Sequence, residues 1–206
     1  HHNHVPTIFI HGHAFNQQNS PLAYAKNFAN IQKALEQHNI TNLGVVDFES
    51  QKENWNHFST NYSLSASYYF IANNVVDTDL IQIQQSERIE NYALRLHEII
   101  QQVRRQTTAP KVNLVGHSMG GLVIRQYLDL FGDQHTNKHI FINSPHDGIS
   151  GRIAQNCNLF GAQKECEDLT HNSIFLSRLQ DRHINKNNTH NIISVGCPMQ
   201  NTTGDG

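Results

Sequence analysis

Val112-Asn113-Leu114-Val115-Gly116-His117-Ser118-Met119-Gly120-Gly121-Leu122-Val123-Ile124 is the stretch on which the architecture turns. It runs from a short apolar segment, through a serine flanked by glycines, into residues whose apolar positions continue at Tyr127, Leu128 and Phe131. Short apolar runs closed by glycine read as buried strands, and apolar residues recurring every three or four positions read as helices. The stretch is therefore a strand, a tight turn and a helix, in that order.

Working outward, the same order recurs. Pro6–Ile10 (PTIFI) is strand-like and ends at His11-Gly12. Ser20-Pro21 reads as a helix N-cap with proline in the first turn, followed by Leu22, Ala25, Phe28, Ala29 and Leu35 at helical spacing. Residues 43–48 (LGVVDF) and Tyr68–Ala72 (YYFIA) are strand-like, while Glu49 to Ser67 shows no clear period. Ile89, Tyr92, Ala93, Leu96, Ile99, Ile100 and Val103 trace one face of a long helix, whose end at Arg104-Arg105 suits a helix C-terminus. Downstream come a strand at Ile140–Ile142, the loop Asn143-Ser144-Pro145-His146-Asp147-Gly148, a helix near Ser173–Leu179 and a strand at Asn191–Val195. Buried strands alternating with amphipathic helices imply a parallel sheet covered on both faces. No repeat or linker divides residues 1–206, so the expectation is a single domain.

Composition narrows the class. The 206 residues are about one domain's worth, and 37% apolar with 8% aromatic content supplies one core. Charged residues are only 16%, against about 25% in an average soluble protein. Amides fill the gap, with 24 Asn and 17 Gln. A net charge of −2 gives no footprint for nucleic acid, and no apolar run approaches the ~18 residues of a membrane span. Cys157 and Cys166 fit a small disulfide loop, Cys166 with Cys197 is an alternative, and three buried thiols is another. A disulfide and an amide-rich surface would suit a secreted or extracytoplasmic setting. No cysteine–histidine spacing suggests zinc, and His1, His2 and His4 read as a polar terminus rather than a metal clip. No cofactor and no metal are expected.

Gly116-His117-Ser118-Met119-Gly120 fits G-x-S-x-G, and a strand before it with a helix after it is the context in which that pattern presents a nucleophile. The turn must be tight enough to strain the serine backbone, so that side chains at Gly116 and Gly120 would strike neighbouring main chain. The strain projects Ser118 Oγ clear of the sheet. The helix beginning there offers free N–H groups and a positive dipole end, which places the Met119 N–H at an oxygen turning negative. A second donor is expected from His11-Gly12-His13-Ala14 after the first strand, with the His13 N–H as candidate. Removing one such donor costs ~10²–10³ in rate. An ordinary N-cap serine and an ordinary glycine turn would have no reason to occupy the two places one active site needs.

VNLVGHSMGGLVIRQYL, with IFIHGH upstream and INSPHDG downstream, resembles the lipase/esterase branch of the α/β-hydrolase superfamily. It is similar to bacterial triacylglycerol lipases and to the lipase-like domains of GPI-inositol deacylases. SPHDG resembles their T-P-H-x-G, and Cys166–Leu179 (CEDLTHNSIFLSRL) their D-L-x-x-x-S-x-F-L-x-x-L stretch. The matches run in order from His11 to Asp205 and are weakest between Glu49 and Ser67. The resemblance implies an α/β-hydrolase fold, with a mostly parallel central sheet, helices on both faces and catalytic groups in the order Ser, acid, His.

A serine hydroxyl needs an imidazole to take its proton, and that imidazole needs a carboxylate. The resemblance places the acid after Asn191–Val195, where Gly204-Asp205-Gly206 matches the Gly-Asp-Gly context of related lipases, so Asp205 is the assigned acid. Asp147, Asp168 and Asp181 come too early in the topology and read as turn or helix-end charges. None of the 15 histidines follows Asp205. His146 is the nearest alternative base, but its motif position is structural in the relatives, and His11 and His117 orient loops. The base is therefore expected beyond Gly206, on a further strand and loop of the same protein or on a separate C-terminal fragment. A parallel sheet closing at Asn191–Val195 would otherwise leave an unpaired edge.

Glu49–Ser67 and Ser150–Thr170 are the expected lid insertions, with Trp55, Phe58, Tyr62 and Phe160 lining an acyl chain or packing beneath the loops. The expected substrate is a carboxylic ester with an apolar acyl group, a small molecule or a lipid met by transient contact with a lipid surface. The alternatives are an acyltransferase or thioesterase on the same scaffold, and a non-catalytic binding domain that lost its base.

Overall fold

A computed structural model describes residues 5–13, 26–47, 61–73, 81–84, 87–157, 163–180 and 186–194 of the chain. β1 (Thr7–Ile10) is followed by a 3₁₀ turn at Lys26–Phe28, α1 (Ala29–Glu36) and β2 (Ile40–Asp47). Next come β3 (Asn61–Ser67) and an antiparallel pair, β4 (Phe70–Asn73) and β5 (Ile81–Gln84). The long helix α2 (Ile89–Thr107) leads to β6 (Val112–His117), α3 (Met119–Phe131) and β7 (Thr136–Ile142). Three short helices follow, α4 (Gly151–Cys157), α5 (Gln163–Leu169) and α6 (Ile174–Gln180), before β8 (Thr189–Ile192).

The central sheet has the order β2-β3-β1-β6-β7-β8, and every neighbouring pair in it is parallel. This is the mostly parallel sheet, with helices on both faces, that the alternating pattern requires. From β1 the chain departs toward β2 and β3, whereas from β6 it departs toward β7 and β8. The connections therefore diverge between β1 and β6, which lie side by side with Ile10 opposite Gly116. In parallel sheets that divergence opens a crevice at the carboxyl ends of the two strands, where ligands bind.

The two faces of the sheet are covered differently. On one, Ile8, Ile10, Leu64, Ala66 and Leu114 pack with Tyr92, Leu96, Ile99, Ile100 and Val103 of α2 and with Leu122 and Val123 of α3, all without exposed surface. Every α2 position read as apolar from the sequence is buried. On the other, a smaller cluster of Phe9, Phe28 and Val115 lies beside a polar seam. There Ser65 Oγ donates to Gln32 of α1 at 2.9 Å, and Gln32 Nε2 donates to Asn42 Oδ1 at 2.8 Å.

That seam explains a misreading. Asn61–Ser67, expected within a lid insertion, is β3, paired with β1 and β2 inside the sheet. Its alternating serines look exposed in sequence, yet Ser63 and Ser65 have no exposed surface because they face α1 rather than water. Tyr62 is likewise buried in this strand and does not line a lid. The strand expected at Tyr68–Ala72 is displaced: Tyr68 and Tyr69 are core residues after β3, and β4 pairs with β5 outside the central sheet. The last strand begins and ends slightly earlier than expected, at Thr189–Ile192. The Ser20-Pro21 cap, Trp55, Phe58 and Phe160 lie outside the described residues. Among the described residues no helix is long and apolar enough to cross a membrane.

Candidate active site

β6 delivers the chain to Ser118 at the carboxyl edge of the sheet, and α3 begins at the next residue. Ser118 has φ 53° and ψ −126°, a backbone state that costs an L-residue about 1–3 kcal/mol and persists only where its surroundings enforce it. An ordinary N-cap serine is extended, with its hydroxyl bonded back to the first turn of the helix. Ser118 does neither, since its side chain makes no cap hydrogen bond. Its own N–H donates to Ile142 O at 2.9 Å, and its carbonyl accepts from Gly121 N–H at 3.0 Å, so the main chain is clamped on both sides. The side chain is half-buried.

The two flanking glycines leave no alternative. A Cβ on Gly116 would sit 2.7 Å from Gly121 N, and one on Gly120 would sit 2.4 Å from Ile10 O and 2.5 Å from His11 O. The first turn of α3 is thus pressed against the end of β1. The same closeness appears at Gly12, where a Cβ would come within 2.9 Å of Ser118 Cβ. The sequence-predicted Ser118, Met119 and His13 are therefore brought to one crevice, with the Met119 N–H in the first turn of α3, where no intrahelical acceptor exists.

The loop after β1 is held by buried side chains. Tyr68 OH donates to His11 O at 2.8 Å, and His11 Nδ1 donates to Gly12 O at 2.8 Å. The His11 ring stacks on Tyr68 with centroids 4.2 Å apart, and complete burial lowers its pKa to about 4, so it is neutral. In a planar trans peptide C=O and N–H point in opposite directions. With Gly12 O turned toward His11 and Tyr68, the His13 N–H is turned away from them.

His13 itself is tied from the far side. Its Nδ1 hydrogen-bonds Glu165 Oε2, and Tyr92 OH donates to Glu165 Oε1. Tyr69 also hydrogen-bonds this carboxylate. Glu165 is fully buried, and desolvation pushes its pKa up against the opposing hydrogen bonds from His13, Tyr92 and Tyr69. Burial, followed by the charge of Glu165, raises the phenol pKa of both Tyr92 and Tyr68. Sequence reasoning missed Glu165; its signal is that it shares one face of α5 with Asp168 and Leu169, and all three are buried.

α5 is anchored in turn. Cys157 and Cys166 form a disulfide, which resolves the pairing in favour of the shorter loop; Cys197 lies outside the described residues. Asp168 accepts from Ile89 N–H at 2.9 Å, so it caps α2, and pairs with Arg88 at 2.9 Å. It is the helix-end charge expected of it, and Asp147 sits in a turn, where it accepts from Gln180 at 3.1 Å. His146 is packed on Phe141 and approached by Arg125 at 3.4 Å, and burial with that positive charge lowers its pKa to about 4. Asp205 and Asp181 lie outside the described residues. At the end of β8, Ser194 N–H donates to Asn143 Oδ1 at 2.7 Å, which fixes the point from which the chain leads toward Asp205.

His13, Cys157 and Cys166 bring one nitrogen and two sulfurs within 4.8 Å of one another, the nearest approach to a metal-binding group among the described residues. Their sulfurs are bonded to each other, and a disulfide lacks the thiolate that ligates a metal.

In fold, the chain is similar to the mature lipase BlEst2 of Bacillus licheniformis (TM-score 0.55, 14% identity, 96% of this chain and 69% of that one). It is also similar to the phospholipase PlaB of Legionella pneumophila (TM-score 0.53, 14% identity, 91% and 37%). A gene product of Listeria innocua matches with 20% identity over 71% of this chain at a TM-score of 0.46, and the chain spans 54% of its length. No curated protein matches the chain. The family model described as alpha/beta hydrolase of unknown function (DUF915) matches residues 1–206, and the chain belongs to that family.

Proposed function

We propose that the protein is a serine hydrolase that cleaves carboxylic esters of apolar acyl groups through an acyl-Ser118 intermediate. The observation that supports this most strongly is the backbone of Ser118, strained at φ 53° and ψ −126° between two glycines that admit no side chain. A structural serine gains nothing from that conformation; a nucleophile gains exposure of Oγ at the crevice between β1 and β6. The fold likeness to a lipase and a phospholipase agrees with an apolar acyl group.

In the proposed reaction Ser118 Oγ attacks the ester carbonyl while an imidazole takes its proton. The carbonyl oxygen becomes an oxyanion and accepts from the N–H groups of Met119 and His13. Collapse expels the alkoxide, which receives the proton from the imidazolium, and water repeats the sequence to release the acid. Asp205 orients the imidazole. The two neutral, packed rings of His11 and His146 are poorly suited to that task, and the base is assigned downstream of Asp205, as the family order implies.

The test is labelling of the full-length protein with a fluorophosphonate, followed by peptide mass mapping, alongside p-nitrophenyl butyrate hydrolysis by wild type and Ser118→Ala. The expected result is one adduct on Ser118 and a loss of hydrolysis of roughly 10⁴-fold or more in the variant. Hydrolysis undiminished in Ser118→Ala, or no adduct on Ser118, would overturn the reading.

A further inference from the structure

We infer that Glu165 is a positioning residue for the oxyanion hole: through His13 it sets the direction of the His13 N–H, and Tyr92 holds Glu165 in place to do so. The inference rests on the proposed reaction and adds to it a group that acts through another rather than touching substrate.

Two fixed points determine the plane of the Gly12–His13 peptide. On its carbonyl side, Gly12 O is bound by His11 Nδ1 at 2.8 Å. On its amide side, the His13 ring is bound by Glu165. Without the second point the peptide loses its anchor on the amide side, and glycine at position 12 offers little resistance to its turning. Glu165 meets the requirements for such an anchor. It has no exposed surface, so water cannot substitute for it. It reaches the loop from α5, 152 residues away in sequence, and α5 is secured by the Cys157–Cys166 disulfide and by Asp168 at the start of α2.

The chemistry of the carboxylate is specific. One oxygen accepts from His13 and the other from Tyr92. Glutamine has the same shape but carries no charge and only one acceptor oxygen, and its NH₂ can meet His13 Nδ1 only if that nitrogen gives up its proton, so Glu165→Gln removes the carboxylate–imidazole bond that holds the ring. A buried carboxylate is costly to keep unless it is paired, and here the pairing lies beside the proposed oxyanion donor.

Displacing a reacting group by about 1 Å can cost 10²-fold in rate, and losing one donor outright costs ~10²–10³. The expected effect of Glu165→Gln is a fall in kcat of about 10–100-fold with KM within about twofold, because the N–H matters chiefly in the transition state. Tyr92→Phe, which leaves the His13–Glu165 bond intact, should lower kcat by about 3–10-fold in the same direction. The experiment measures kcat and KM for p-nitrophenyl butyrate, and the inhibition constant of an alkylboronic acid whose tetrahedral adduct carries an oxygen in the oxyanion hole. Fluorophosphonate-reactive wild type is measured in parallel, so that failure of the proposed reaction shows as an inactive wild type. Positioning predicts that boronate affinity falls in step with kcat/KM in both variants. An active wild type with kcat unchanged in a folded Glu165→Gln variant would overturn the inference. If that variant does not fold, Tyr92→Phe decides: a loss of kcat with parallel loss of boronate affinity supports it, and unchanged values overturn it.

Discussion

The two halves of the crevice are built on opposite principles. The Ser118 side is made of main chain: a bend clamped by Ile142 O and Gly121 N–H, with glycines where any side chain would strike backbone. The His13 side is made of side chains from distant segments, in which Tyr68, Tyr92 and Glu165 meet around a loop that no local sequence would fix. A bend enforced by hard contacts has one geometry and gives way only when the fold does. A loop held by buried hydrogen bonds depends on protonation and on the anchoring of α5. Conditions that leave the proposed nucleophile untouched should therefore disturb the proposed oxyanion donor.

The largest expected effect lies on the main-chain side. Gly120→Ala places a methyl group 2.4 Å from Ile10 O and 2.5 Å from His11 O, both backbone atoms that cannot swing away. The expected loss is about 3 kcal/mol or more in urea unfolding, with Ser118 no longer reactive. Next comes acidification. His11 is neutral in the folded protein with a pKa of about 4, and in the unfolded chain it titrates near 6.5. The unfolded state thus binds the proton first, and stability present above pH 6.5 is lost as pH falls toward 4, by an amount of order 3 kcal/mol. The midpoint of urea unfolding should fall over that window, and His11→Gln should flatten the decline.

Reduction of the disulfide by a dithiol ranks third. It opens a loop with a sequence separation of 9 and should cost about 2.5 kcal/mol, read as a lower Tm. Because α5 keeps its Arg88 and Ile89 contacts through Asp168, the accompanying loss of kcat should be smaller than that of Glu165→Gln. The smallest effect belongs to Ser65→Ala, which removes a donor to buried Gln32 on the α1 face of the sheet and should cost about 1 kcal/mol with catalysis unchanged. A larger catalytic effect from Ser65→Ala than from disulfide reduction would break the contrast between the two halves.

The same division governs what could be read in the chain. The Ser118 bend, α2 with its buried face, and five of the six central strands were legible because local pattern and tertiary role agree there. The strand Asn61–Ser67 was not, because its serines read as solvent-facing, whereas Ser63 and Ser65 are buried and Ser65 is satisfied by Gln32 rather than by water. The strand at Tyr68–Ala72 was misplaced for the complementary reason: aromatic residues that favour strands serve here as a core cluster, with Tyr68 and Tyr69 rings 5.0 Å apart and Tyr92 against both. Within the site, the meeting of the loop after β1 with the Ser118 bend was legible from the positions of the two motifs. Glu165 was not, since nothing local marks a helical glutamate as the partner of a residue so far back in the chain.

The most direct measurement is a crystal structure of the full-length protein after reaction with an alkyl fluorophosphonate. The expected result is phosphorus bonded to Ser118 Oγ and one phosphoryl oxygen within about 2.7–3.1 Å of both Met119 N and His13 N. An adduct whose oxygens meet neither amide, or phosphorus on any other side chain, would contradict it.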